Sequence, residues 1–154
     1  MHCDVEVPDY SALPLSRSGI LIASAEAMAA NPRPDAERSQ MLHDTPSVLR
    51  QFRQSDQLSA LAMIYDTRMA TPHRRDILAT VRGEDGRVVF RQQDSRSTGE
   101  IQAAAGTAGG FGYLVKVPLA SVPPGSYMLA IEVRSGLDLD KPVRHETMFS
   151  VTAK

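Results

Sequence analysis

Ile77-Leu78-Ala79-Thr80-Val81-Arg82-Gly83-Glu84-Asp85-Gly86-Arg87-Val88-Val89-Phe90-Arg91 is the stretch that decides the fold. Ile77, Ala79 and Val81 alternate with Leu78, Thr80 and Arg82, the two-residue period of a strand with one buried face. Asp85-Gly86 then reverses the chain into a second β-patterned run. An Asp-Gly pair between two such runs is a strong local signal for a β-hairpin, because glycine takes up positive φ without a steric penalty.

The same punctuation extends outward from this hairpin. Upstream, Leu58-Ser59-Ala60-Leu61-Ala62-Met63-Ile64-Tyr65 is almost continuously apolar, as in a central strand covered on both faces. Ala, Leu and Met also favour helix, but Asp66-Thr67 and Pro72 bound the run too closely for one. Val48 to Arg53 reads as a short strand and Ser18 to Ser24 as the first strand of the domain. Downstream, Tyr113, Val115 and Val117 alternate with Leu114 and Lys116 until Pro118, which ends or edges that strand. Pro123-Pro124-Gly125 is the next turn and leads to Tyr127, Leu129, Ile131 and Val133 on one face, with Ser126, Glu132 and Arg134 on the other. Tyr127, just past that turn, has the position of a tyrosine corner, in which the hydroxyl bonds back to nearby backbone. Thr147, Phe149 and Val151 close the pattern against Arg144, Glu146 and Ser150.

These runs predict an all-β chain: an immunoglobulin-like antiparallel β-sandwich of roughly seven strands over residues 18–154. Residues 1–17 read as an extended N-terminal arm, since Val5-Glu6-Val7 is followed at once by Pro8 and then Pro14. Residues 25–47, with Pro32, Pro34 and Pro46, read as a long Pro- and Ala-rich connection. Pro34 could start a short helix through Arg38, or the segment could cross between sheets without one. No fixed-period repeat occurs, which argues against a propeller or solenoid.

Composition narrows the functional classes. The 154 residues are enough for one domain with a core of its own, about 70% of the unfolded surface being buried at this size. Lys and Arg total 17 against 18 Asp and Glu, with the signs interspersed, so there is no basic face for nucleic acid. Cys3 is the one cysteine, which leaves no intrachain disulfide and does not fix the redox compartment. The start Met1-His2-Cys3-Asp4-Val5 lacks a charged n-region and apolar h-region. Ile20-Leu21-Ile22-Ala23 is too short to cross a bilayer, so no membrane insertion is expected. The chain opens directly on a strand-like run, and the tail of a longer protein is the expectation that follows.

The chemistry-bearing residues do not assemble into a known signature. Gly106-Thr107-Ala108-Gly109-Gly110-Phe111-Gly112 has neither nucleotide-loop spacing nor a following Lys-Ser or Lys-Thr, and a strand rather than a helix comes next, so it reads as a loop. Asp94-Ser95-Arg96-Ser97-Thr98 places Arg96 where a metal-ligating hydroxyl would have to stand, and it reads as a solvated strand end. Asp138 and Asp140 read as exposed turn carboxylates; calcium needs about six oxygens and a glycosidase needs a cleft. His2, His43, His73 and His145 are scattered, and with a lone cysteine no zinc set forms. No Gly-x-Ser-x-Gly is present. Tyr113, Tyr127 and Phe149 fall on core faces, and without tryptophan there is little material for a sugar-stacking platform. No catalytic, cofactor-binding or metal residue is assigned, and no small-molecule ligand is expected. The expected function is a noncatalytic module for protein docking or spacing. The alternatives are a carbohydrate-binding module using Asp138, Asp140 and a surface tyrosine, and dimerisation by strand addition along an exposed terminal strand.

Several stretches resemble the C-terminal immunoglobulin-like region of bacterial von Willebrand factor A domain-related proteins of the acidobacterial type. They are Val5-Glu6-Val7-Pro8-Asp9-Tyr10, Leu15-Ser16-Arg17-Ser18-Gly19-Ile20-Leu21, Arg50-Gln51-Phe52 with Asp56, Leu58 and Tyr65-Asp66, Val81 to Gly86, Gly112-Tyr113 with Val117-Pro118-Leu119, and Pro124 to Leu129. The resemblance implies an exported multidomain parent, an extracytoplasmic setting, and protein contacts that could include an A domain of that parent. This chain holds no A domain, so the resemblance carries over no metal ligand.

Overall fold

A computed structural model describes residues 14–24, 50–105 and 110–153, with 103–105 described through their backbone. They build two packed sheets from eight strands: β1 (Leu15–Ala23), β2 (Gln51–Arg53), β3 (Gln57–Asp66), β4 (Arg74–Gly83), β5 (Val88–Ser97), β6 (Gly110–Pro118), β7 (Gly125–Ser135) and β8 (Asp138–Thr152). One helix, α1 (Thr98–Ala105), and a 3₁₀ turn (Leu119–Ser121) complete the described elements. The all-β sandwich predicted from the period-two runs is the fold. The smaller sheet has the order β1-β3-β6 and the larger β2-β8-β7-β4-β5.

The core is the sum of the two inner faces. Leu58, Ala60, Ala62 and Ile64 from β3 meet Ile77, Ala79 and Val81 from β4 and Leu129, Ile131 and Val133 from β7. Burying such side chains contributes about 1.5–3 kcal/mol each for the larger ones, which is what drives two amphipathic sheets together. At one edge Tyr127 stacks on Phe149 at 5.8 Å and Phe52 meets Phe149 edge-on at 6.1 Å. β3 is buried on both faces because Leu61 also packs between Leu21 and Leu114 on the side away from the core. That two-sided burial explains its continuous apolar run.

Four features differ from the sequence reading. There are eight strands among the described residues rather than roughly seven. β2 pairs with β8 in parallel, Phe52 against Val151, so the sandwich is not wholly antiparallel. β1 starts at Leu15 rather than Ser18, β2 at Gln51 rather than Val48, and β6 at Gly110, so Gly110-Phe111-Gly112 is strand rather than loop. The largest difference lies at 92–105, where β5 continues through Ser97 and α1 follows without a break. Ser97 and Glu100 form a capping box: the Ser97 N–H donates to Glu100 Oε2 at 2.7 Å and Glu100 N–H donates to Ser97 Oγ at 3.3 Å. Ile101 anchors the helix in the core at 2% exposure. The readings of the arm before residue 14, of the 25–47 connection and of 106–109 lie outside the described residues.

The β4–β5 turn forms as the Asp-Gly pair predicts. Gly86 sits at φ 80°, Gly86 N–H donates to Gly83 O at 3.0 Å, and Asp85 Oδ1 accepts from Arg87 N–H at 3.0 Å. Where the chain passes from β6 into β7 it changes sheet, and the Tyr127 hydroxyl donates to Pro123 O at 2.6 Å, four residues back. This is the tyrosine-corner bond expected from the sequence. Tyr127→Phe keeps the ring stack and removes only this bond. The expected loss is about 1–2 kcal/mol of unfolding free energy in urea with an unchanged m-value, and an unchanged midpoint would show that the corner contributes nothing.

Candidate functional site

Polar side chains gather at three places on the sandwich. The first is the end at which β3 passes into β4. Asp66 continues the inner-face parity of Leu58, Ala60, Ala62 and Ile64, and Arg75 that of Ile77, Ala79 and Val81, so both charges point into the core. Asp66 Oδ2 accepts from Arg75 Nε and from His73 Nε2, each at 2.8 Å, and Oδ1 accepts from Arg68 N–H at 2.8 Å. Arg75 Nη1 donates to Thr98 Oγ1 at 3.0 Å and to His73 O at 3.3 Å. Thr98 also joins the β4 side directly, since His73 N–H donates to its hydroxyl at 3.0 Å and Thr98 N–H donates to His73 O at 3.1 Å.

His73 is held from both sides. Nδ1 lies 2.7 Å from Thr71 O while Nε2 faces Asp66. Both partners are acceptors, so whichever ring nitrogen carries the hydrogen has a bond to make. Burial pushes the Asp66 carboxyl up, but the bonds from Arg68, His73 and Arg75 and the charge of Arg75 more than reverse this, so its pKa lies below the usual carboxylate value. The side chains of Asp66 and Arg75 have no solvent exposure and that of His73 has 3%. Asp66, His73 and Arg75 spend their hydrogen bonds inward, while beside them the buried Arg68 Nε, 3.9 Å from Asp66 Oδ1, makes none.

The second place is the flank between the edge strands β5 and β6. The Tyr113 hydroxyl donates to Asp94 Oδ2 at 2.5 Å, and Gln92 Nε2 donates to Asp94 Oδ2 at 2.9 Å and to the Tyr113 oxygen at 3.1 Å. The bond from Tyr113, then that from Gln92, holds Asp94 below the ordinary carboxylate value; burial and then Asp94 itself push the phenol up. These groups tie the two sheets together at that flank. On the opposite flank, the Arg17 guanidinium of β1 donates to Arg144 O of β8 at 3.1 and 3.3 Å.

The third place is open to solvent. A groove of about 510 Å³ runs beside the β4–β5 turn, lined by Glu84, Asp85, Arg87, Ser121, Ser126 and Tyr127 among others. A smaller hollow of about 260 Å³ adjoins it and shares Gly83, Glu84, Ser126 and Tyr127 with it. Glu84, Asp85 and Arg87 are exposed, on a turn held by its own backbone bonds. The groove therefore presents both signs of charge on a fixed frame.

The residues weighed from sequence fall as follows. Asp138 and Asp140 stand at the β7–β8 hairpin, where Asp138 lies 3.8 Å from Lys141. Asp94 to Thr98 is not a solvated strand end, because Asp94 is bound by Tyr113 and Thr98 is buried. His145 lies on the inner side of β8, where burial and then Arg17 lower its pKa. His73 is not isolated, and the Asp66–Arg75 pair escaped notice although the parity of both residues was legible. His2, Cys3 and His43 lie outside the described residues. Among the described residues no group of three or more His, Cys, Asp or Glu is placed to hold a metal ion, and no helix is long and apolar enough to cross a membrane.

No family model and no curated protein matches the sequence. Among solved structures, the chain is similar to the C-terminal domain of Wzt, with TM-score 0.56 and 14% identity over 97% of this chain and 88% of that one. It is also similar to part of a family 123 glycoside hydrolase from Clostridium perfringens, described for glycolipid glycan hydrolysis. That match has TM-score 0.50 and 11% identity, and it covers 92% of this chain but only 28% of the hydrolase. At such identities the likeness establishes a shared fold.

Two outcomes follow from the buried cluster. Arg75→Met leaves Asp66 charged in the core without its guanidinium and should cost about 3–5 kcal/mol, whereas Asp66→Leu with Arg75→Met should recover part of that loss. Denaturation of the single and double variants reads the coupling directly. Because the folded pKa of Asp66 is depressed, its stabilisation is complete above about pH 3.9 and is lost as pH falls through the lower folded value. Unfolding free energy should therefore fall more steeply with acidification in the parent than in Asp66→Asn; equal slopes would mean that Asp66 is not the group titrating.

Proposed function

We propose that this chain is a noncatalytic β-sandwich module that docks on another protein through the groove beside the β4–β5 turn. One observation carries the reading: the Asp66–Arg75 pair is fully buried and bonded inside the protein, whereas Glu84, Asp85 and Arg87 face solvent around a preformed groove. Turns presented by a rigid sandwich are where such folds place recognition. Opposite charges on a fixed turn suit a partner of complementary pattern, giving specificity and orientation rather than chemistry.

Sugar stacking has less support. The described aromatics Phe52, Phe111, Tyr113, Tyr127 and Phe149 are buried, and Tyr65 and Phe90 are half-buried. None of these presents an open ring face of the kind on which sugar-binding sandwiches rely. In the setting implied by the sequence resemblance, the partner is an A domain of the same parent chain and the module works outside the cytoplasm; both belong to the proposal.

A photoreactive side chain at position 85, with position 93 on the exposed edge of β5 as control, tests the docking surface in cells of the source organism. The expected product is an adduct with a protein other than a second copy, formed at 85 and not at 93, and lost when unlabelled chain competes. Absence of a competed adduct from 84, 85 and 87 alike overturns the reading. So does saturable binding to a glycan array that Glu84→Ala or Arg87→Ala abolishes.

A further inference from the structure

Four large apolar side chains are exposed among the described residues: Val88 at 43%, Leu137 at 43%, Leu139 at 57% and Met148 at 60%. They fall into two pairs at opposite ends of the five-stranded sheet. Val88 and Met148 lie in one cross-strand row, Met148 opposite Met128, Met128 opposite Arg82, and Arg82 opposite Val88. Leu137 and Leu139 lie at the β7–β8 hairpin, where Ser135 pairs with Asp138.

The two ends differ in shape. Beside Met148 is the hollow of about 260 Å³, its lining including Met128, Met148, Gly83 and Gly86 together with Arg82 and Glu84. Methionine walls adapt to an inserted apolar group. The hairpin is a projection: Leu137 and Leu139 are followed directly by the exposed Asp140 and Lys141. Its charges are Asp138, Asp140 and Lys141, and Lys141 lies 3.8 Å from Asp138, so Asp140 is the charge left to complement Arg82 of the hollow. A surface patch complementary to a different patch on the same molecule makes a heterologous contact, which propagates along a line unless the rotation closes a ring.

We propose that copies of this chain associate head to tail, the Leu137–Leu139 hairpin of one inserting into the Met128–Met148 hollow of the next, with Asp140 beside Arg82. The occupant is a second copy, so this goes beyond docking at the groove and is tested on the purified chain alone. Failure here leaves the groove proposal untouched.

Sedimentation of the parent from micromolar to millimolar concentration should show an average mass rising above the 16.8 kDa monomer. Leu139→Glu removes the projection and Met148→Glu blocks the hollow; each alone should stay monomeric, a weakening of more than about tenfold. Both positions are over half exposed, so unchanged thermal midpoints confirm that the fold is intact, and Leu139→Ser and Met148→Ser replace any variant that fails this check. The deciding sample is the equal mixture. Leu139→Glu keeps a free hollow and Met148→Glu keeps a free projection, so together they should form a capped pair of twice the monomer mass. A parent that is monomeric throughout, a single variant that still associates, or a mixture that stays monomeric overturns the proposal.

Discussion

The constraint on which this sandwich depends is that a chain crossing between two sheets must leave one hydrogen-bonded ladder before it joins the next. Backbone and side-chain polar groups at each crossing need partners away from bulk water. The Asp66–Arg75 pair meets this need at the passage from β3 in the smaller sheet to β4 in the larger. Thr98, bonded to the same guanidinium and to His73 on both its backbone and hydroxyl, extends the arrangement to the passage from β5 through α1 to β6. Two crossings are thus fixed by one carboxylate and one guanidinium. At the other end Tyr127 closes the passage from β6 to β7, and Asp56 serves that from β2 to β3, its carboxylate accepting from Ser24 and its carbonyl from Leu119 N–H.

A buried ion pair is a weak source of net stability, because desolvation of both partners consumes much of their attraction. Its value here is positional. An apolar pair at 66 and 75 could fill the space, but it would not fix Thr98, His73 and Arg68 N–H in one arrangement. The division of the molecule follows: one end closed by charge used internally, the other left with exposed turns and an open groove. The proposed docking groove lies at the second end, where Glu84, Asp85 and Arg87 face solvent.

The strands were legible where period two was unbroken, as in Ile77 to Val81 and Tyr127 to Val133, and the Asp-Gly turn and tyrosine corner followed from local stereochemistry. α1 was missed although Ser97-Thr98-Gly99-Glu100 carries a capping box; the surrounding Gln, Ser and Gly weakened the apolar periodicity, and its single core anchor is Ile101. The buried charges were missed for a different reason. Asp66 reads as the boundary of an apolar run and Arg75 precedes the alternation that starts at Ile77, and only their parity with the core residues reveals that they point inward. The parallel β2–β8 pairing had no local signal, since a three-residue strand is placed by whatever edge is free. The groove was equally hidden, because it arises where two distant turns meet.

That short parallel pairing bears on the order in which the molecule can be completed as it is synthesised. Thr152 bonds Phe52 O across 100 residues of sequence, and Phe52 finds its aromatic neighbour Phe149 only in the last strand. On a ribosome, β3 to β7 can emerge and pair while Phe52 still lacks a partner. The β2 edge is therefore the last seam to seal, and until β8 is released the nascent sandwich carries an apolar surface that chaperones or a neighbouring nascent chain could occupy.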